Sequence, residues 1–247
     1  MSNLLLIHGA WGGAWEFDDI VESLKQRGHD ARAIDLPGHG QRAAPIAEVT
    51  QNAYVQAVVE AVQAFGEPVV LIGHSLAGAI ISQVAERIPA TIERLVYVAA
   101  MLPKNGESVL ELMQSDEAGE LLPKITFSAD QSYATVDVED VKTILLHDVE
   151  EIERLEFLAP RFGIDQATEP FMAPAELTEA AFGSVPKTYV RSSLDKVMSP
   201  SLQSRMLTHW KVEQVFTLES GHFPLMSMPE RLIQVIDEAA RVPASAA

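Results

Sequence analysis

Three side chains in this sequence have the types and spacing to do nucleophilic chemistry: a serine at a sharp bend, then an aspartate and a histidine on later loops. The serine is Ser75, in Val69-Val70-Leu71-Ile72-Gly73-His74-Ser75-Leu76-Ala77-Gly78. A wholly apolar run stops at a glycine, one hydroxyl follows, and small residues open a helical pattern. Such a turn strains the backbone and pushes the serine Oγ out of the end of a sheet, where it can attack a carbonyl. The N–H of Leu76, at the helix N-terminus, faces the same place and can stabilise an oxyanion. Ala77 stands where a second glycine is usual, and little bulk is the demand there. A serine at this position could instead only cap the helix, so the rest of the chain must decide.

A nucleophilic serine needs a base, and the base an orienting acid. Of the seven histidines, His222 fits best, in the loop Glu219-Ser220-Gly221-His222-Phe223-Pro224 after a strand pattern at 212–218. His29 and His209 fall at helix ends, His147 in the middle region, and His74 is turned away from Ser75 by the bend. Asp195 follows a strand pattern at 187–191 and supplies the acid, although it could instead cap a helix that begins near Pro200. Glu107 is the fallback, and Asp35 lies too far across the sheet. Ser75, Asp195 and His222 then stand in the chain order of a hydrolase triad. A second oxyanion donor is expected from the loop His8-Gly9-Ala10-Trp11-Gly12-Gly13. Gly9 allows close backbone approach, and the N–H of Ala10 would pair with that of Leu76.

The elements that must position these groups are legible as a rhythm. Strand-like runs at 4–8, 31–35, 68–72, 95–101, 187–191 and 212–218 alternate with helical patterns at 15–27, 52–65, 77–87, 200–210 and 229–241. This predicts an α/β fold with a doubly wound, mostly parallel sheet. From 103 to 186 the rhythm breaks into helical pieces at 109–112, 138–147, 152–161 and 174–182, punctuated by Pro123, Pro160, Pro170 and Pro174. The expected organisation is a core of 1–102 and 187–247 with a helical cap inserted at 103–186. A cap over the carboxyl ends of the strands would cover the place where such sheets bind ligands and keep water from it.

Composition excludes several other functions. The chain has 247 residues, is 47% hydrophobic, contains no cysteine and carries a net charge of −17. Disulfides and thiolate metal sites are excluded, and the charge argues against nucleic acid and anionic membranes as partners. No apolar run approaches the roughly 20 residues of a membrane span. The start runs straight into a strand pattern with no basic region, so no signal peptide and a cytoplasmic location are expected. Gly73 and Gly78 have P-loop spacing, but Ala79-Ile80 replace its Lys-Ser/Thr pair. Gly38-His39-Gly40 lacks the helix that would meet a pyrophosphate. No metal cluster and no cofactor are expected. The acids at 139–140 and 148–153 read as a solvated face, and the tail 242–247 as loose.

The pieces His8-Gly9-Ala10-Trp11, Asp35-Leu36-Pro37-Gly38-His39-Gly40, Gly73-His74-Ser75-Leu76-Ala77-Gly78 and Gly221-His222 together resemble the α/β-hydrolase superfamily over nearly the whole chain. Within it, the N-terminal loop is similar to the plant methylesterase and hydroxynitrile lyase group and its bacterial carboxylesterase relatives. Members of that group often carry histidine where Gly12 stands. The lyases need lysine directly after the triad histidine, where this chain has Phe223, and favour a hydroxyl at position 9, where it has Gly9. The resemblance therefore implies a serine carboxylesterase acting on small to medium apolar or aromatic esters. Another reaction on the same triad (a C–C bond hydrolase, a cofactor-free haloperoxidase) and a ligand-sensing receptor stay open. Trp11, Leu76, Met101, Phe127, Leu146, Phe162, Phe171, Met198 and Phe223 are the candidates to line an apolar pocket. The expected partner is a small-molecule ester, and a homodimer is compatible with this reading.

Overall fold

The computed structural model describes residues 1–241; the tail expected to be loose, 242–247, lies outside the described residues. Apolar runs become the centre of a six-stranded sheet. These are β1 (Asn3–Ile7), β2 (Asp30–Ile34), β3 (Val69–His74), β4 (Ile92–Val98), then β8 (Lys187–Ser192) and β9 (Gln214–Leu218), in the order β2-β1-β3-β4-β8-β9. Every pairing in it is parallel. Parallel strands covered on both faces read as unbroken apolar runs, and β3 is buried at all six positions, whereas the edge strand β9 alternates between exposed and covered positions.

Helices cover both faces. They are α1 (Asp18–Gln26), α2 (Gln51–Gln63) and α3 (Ala77–Arg87). Thr50 caps α2 by accepting the Ala53 N–H at 3.1 Å, satisfying one of the free N–H groups of the first turn. Helix α3 is buried along most of its length, and a side chain on Gly78 would run into the carbonyl oxygen of Met101. Bulk is therefore refused at Gly78, and the methyl of Ala77 is accepted next to it. Ile7 and Gly73 are register partners in β1 and β3. Because β2 lies on the far side of β1, the chain reverses direction across the sheet between β1 and β3, a place where ligands collect in such folds.

Residues 103–186 hold α4 (Val109–Gln114), β5 (Ile125–Phe127), β6 (Tyr133–Val136), α5 (Val138–Asp140) continuing as a π-turn (Val141–Leu145), α6 (Ile152–Leu158), β7 (Gln166–Ala167) and α7 (Glu169–Met172). This segment, expected as a helical cap, thus holds short strands as well as helices. Strands β5, β6 and β7 form a three-stranded antiparallel sheet. They are only two to four residues long, too short for a periodic signal. The helix expected at 174–182 is also absent. That segment is pinned instead to neighbours, with the Ala175 N–H donating to Glu107 O and the Leu177 N–H to Asn105 Oδ1. The chain closes with α8 (Pro200–Met206), α9 (Pro224–Ser227) and α10 (Pro229–Arg241), the last burying Leu232, Ile233, Val235 and Ile236 beside α1.

Candidate active site

Ser75 follows β3 with φ of 54°, a left-handed conformation that is costly for any residue but glycine and clusters at active sites. Three backbone hydrogen bonds hold it: its N–H donates to Val98 O at 3.3 Å, and its carbonyl accepts from the N–H groups of Gly78 and Met101 at 3.1 and 3.0 Å. The glycine loop after β1 lies directly against it, since a Cβ on Gly9 would sit 2.8 Å from Ser75 Cβ. The serine itself is half-buried.

The structure brings Ser75, His222 and Asp195 into one line. His222 Nδ1 lies 2.8 Å from Asp195 Oδ2, and His222 Nε2 lies 2.8 Å from Ser75 Oγ. An ionised carboxylate only accepts, so the Nδ1–H donates to Asp195 and Nε2 is left to accept the Ser75 hydroxyl proton. Asp195 Oδ1 is held by the N–H groups of Val197 and Met198 at 2.8 and 2.9 Å. The acid loop is fastened by Gln203, wholly buried, which donates to Ser192 O and Met198 O and accepts from the Ser192 N–H. Nothing in the sequence pointed to Gln203, because a buried amide on a helix has no motif. Glu107, the alternative acid, instead accepts the Lys104 N–H and stays beside Lys104 on its own loop.

In the glycine loop the N–H groups of Trp11, Gly13 and Ala14 are taken by Gln166 Oε1, Glu16 Oε1 and Asp35 Oδ1. Among the described residues, the N–H groups of Ala10 and Leu76 donate to no protein acceptor. These two N–H groups, one on the residue after Ser75 and one in the glycine loop that lies against it, are available to a developing anion.

Histidines the chemistry does not use hold the loop from behind. His8 Nε2 accepts from the Leu36 N–H at 3.1 Å, which leaves its Nδ1–H to donate to Gly9 O at 2.7 Å. Burial, aided by His39, pushes His8 down to about 3. His39, also lowered by burial, donates from Nδ1 to Gly12 O and accepts from the Tyr54 hydroxyl at Nε2. His74 donates from Nε2 to His222 O at 2.8 Å. Its Nδ1 lies 3.9 Å from Glu16 Oε2, too long for a hydrogen bond. Burial pushes His74 well down and Glu16 well up, so each favours its neutral form, which works against an ion pair between them.

The candidate pocket residues divide. Trp11, Phe127 and Phe171 share a small apolar cavity in the cap with Met113 and Met172, and Phe127 is 46% exposed at its rim. Leu76, Met101, Leu146, Phe162, Met198 and Phe223 are shut into the core. Phe223 packs edge-on against His74 and His222, and Phe162 against Phe223. Phe223 and Phe162 thus pack behind the triad histidine; periodicity cannot separate such a place from a pocket wall, because both ask for the same apolar residues. Among the described residues, no helix is long and apolar enough to cross a membrane, and no group of three or more metal-ligating side chains could hold an ion.

Residues 4–235 match the profile of the Alpha/beta hydrolase family. A crystal structure of a pyrethroid hydrolase from Sphingobium faniae superposes with a TM-score of 0.87 at 26% identity, covering 99% of each chain. The putative methylesterase 11, chloroplastic, of Arabidopsis thaliana is 28% identical over 98% of this chain, and the match spans 64% of that protein. A carbendazim hydrolyzing esterase from Nocardioides sp. is 37% identical over 46% of this chain and 48% of its own length.

Proposed function

The chain belongs to the alpha/beta hydrolase family, and from that premise we propose that it is a serine carboxylesterase acting on small to medium apolar or aromatic carboxylic esters. One observation carries the reading: the unbroken Ser75–His222–Asp195 line, with both links at 2.8 Å, ending at a strained serine beside two free N–H groups. Ser75 Oγ attacks the ester carbonyl as its proton passes to His222 Nε2. The N–H groups of Ala10 and Leu76 bind the tetrahedral oxyanion, each worth about 3 kcal/mol. His222 returns the proton to the leaving alcohol, and an acyl group remains on Ser75. Water, deprotonated by His222, releases the acid and restores the serine. Asp195 keeps the imidazole in the right tautomer and stabilises its cation.

The relatives support an ester substrate by their names, a pyrethroid hydrolase and a carbendazim hydrolyzing esterase among them. Phe223 argues against cyanohydrin cleavage, since its buried ring fills the position where the lyases place a lysine. A cytoplasmic location belongs to the same proposal. The test is turnover of a p-nitrophenyl ester with product analysis. The expected products are acid and alcohol, and Ser75→Ala should lower kcat by on the order of a millionfold. Near-full activity in that variant would remove Ser75 from the mechanism.

A further inference from the structure

Trp11 directly follows the oxyanion donor Ala10 and has φ of 56°. A bulky side chain avoids the left-handed region, and such a conformation persists only where its surroundings over-determine it. Both nitrogens of Trp11 are held by the cap sheet. The backbone N–H donates to Gln166 Oε1 at 3.1 Å, and the indole Nε1–H donates to Ala134 O at 2.9 Å. Ala134 and Gln166 are register partners in β6 and β7, so one rung of the cap sheet supplies both acceptors. Gln166 is fully buried, and both N–H groups of its amide are used. Its Nε2 donates to Tyr54 Oη at 3.2 Å and to Ala167 O at 3.0 Å. The Tyr54 hydroxyl in turn donates to His39, whose Nδ1–H donates to Gly12 O. Through this one side chain the Ala10–Trp11 peptide is held directly, and the Gly12–Gly13 peptide by way of Tyr54 and His39.

On the esterase reading above, we infer that Gln166 is a positioning residue for the oxyanion hole: a cap side chain that sets the direction of the Ala10 N–H by holding Trp11 in its left-handed conformation. The Trp11 N–H belongs to the peptide next after the one that carries the Ala10 N–H, so its direction fixes how the loop turns over Ser75. Without the acceptor, a buried N–H is left unpaired and the loop relaxes toward an ordinary backbone conformation. The hole is therefore completed by the cap and is not a property of the core alone.

The test compares wild type with Gln166→Met, which keeps the volume and loses the amide. Gln166→Asn, one methylene too short to reach Trp11, serves if the first variant does not fold. Active sites are counted with a fluorophosphonate, and kcat, KM and the inhibition constant of an aryl trifluoromethyl ketone, which forms a tetrahedral adduct, are measured per active site. The expected result is a kcat lowered about a hundredfold, as for loss of one oxyanion donor. KM should change little, ketone affinity should weaken in parallel with kcat, and the pH midpoint of kcat/KM should not move, because the His222–Asp195 pair is untouched. A structural role alone would lower the number of active sites and leave kcat per site unchanged; that result overturns the inference while wild-type turnover keeps the esterase reading intact. A rise in KM at constant kcat overturns it as well. A wild type that neither hydrolyses esters nor labels at Ser75 overturns the esterase reading, and this inference with it.

Discussion

A carboxyl occupies the space beside Gly12. Any Cβ at position 12 would overlap Glu16 Oε1, and Glu16 uses that oxygen to accept the Gly13 N–H. The histidine often found there in the group this chain resembles is therefore excluded by a neighbour four residues on. Gly12→Ala should destabilise the protein by about 1–3 kcal/mol through overpacking, and most of that loss should disappear in a Glu16→Ala background, where the methyl group has room. Urea unfolding of the four proteins of this cycle measures the coupling; additive effects would mean that Glu16 does not set the residue at position 12. The acid of the triad permits an equally local test. Asp195→Asn leaves the geometry but favours the wrong imidazole tautomer, and kcat should fall by about ten-thousandfold. Glu107→Gln should leave it nearly unchanged, because the Glu107 carboxylate bonds only within its own loop.

The cap grips all three working loops. Gln166 holds the glycine loop, His147 donates from Nε2 to Leu194 O in the acid loop at 3.0 Å, and Asp148 accepts the Gly221 N–H at 2.5 Å beside His222. His147 and Asp148 come two and three residues after the end of the π-turn, a local irregularity frequent at functional sites. Removing the acceptor by Asp148→Ala leaves the Gly221 N–H without its partner, at a cost of about 1–3 kcal/mol. It should also lower kcat more than it raises KM, since His222 is the next residue; an unchanged kcat would show that the histidine loop stands without the cap. None of these grips was legible in the sequence. Ser75, Asp195 and His222 were, because each follows a strand whose pattern announces it, a buried apolar run for β3 and a half-covered alternation for β9, and a parallel sheet gathers such loops on one rim. The six core strands were legible for the same reason. The cap strands were not: at two to four residues they are shorter than any usable period, and Gln166 does its work through an amide no motif marks. The segment 174–182 shows the opposite error, since its apolar spacing suggests a helix while its backbone bonds go to residues 105 and 107.

For the whole molecule, several buried groups are neutral where the unfolded chain would carry charge, and stability must follow pH accordingly. His8, His39 and His74 are all lowered by burial, His8 from 6.5 to about 3. Between those limits the unfolded chain binds a proton at residue 8 that the folded chain refuses, so the contribution of His8 is complete above 6.5 and is lost as pH falls through about 3. The full shift corresponds to about 5 kcal/mol. Melting temperatures should fall from pH 7 toward pH 4, and less steeply in His8→Asn, whose side chain does not titrate; equal slopes would contradict a neutral His8. Glu16 works in the other direction. Its carboxyl is raised well above 4.5 by burial, so the folded chain must hold a proton that the unfolded chain has released. Whatever stability the raised pKa contributes is present below 4.5 and lost as pH rises through the folded value, and near neutrality the buried acid is a burden. Glu16→Gln keeps a carbonyl oxygen for the Gly13 N–H and removes the proton from the balance. That variant should match wild type in stability near pH 4 and exceed it increasingly as pH rises. A difference independent of pH would mean that the Glu16 carboxyl titrates alike in the folded and unfolded chains.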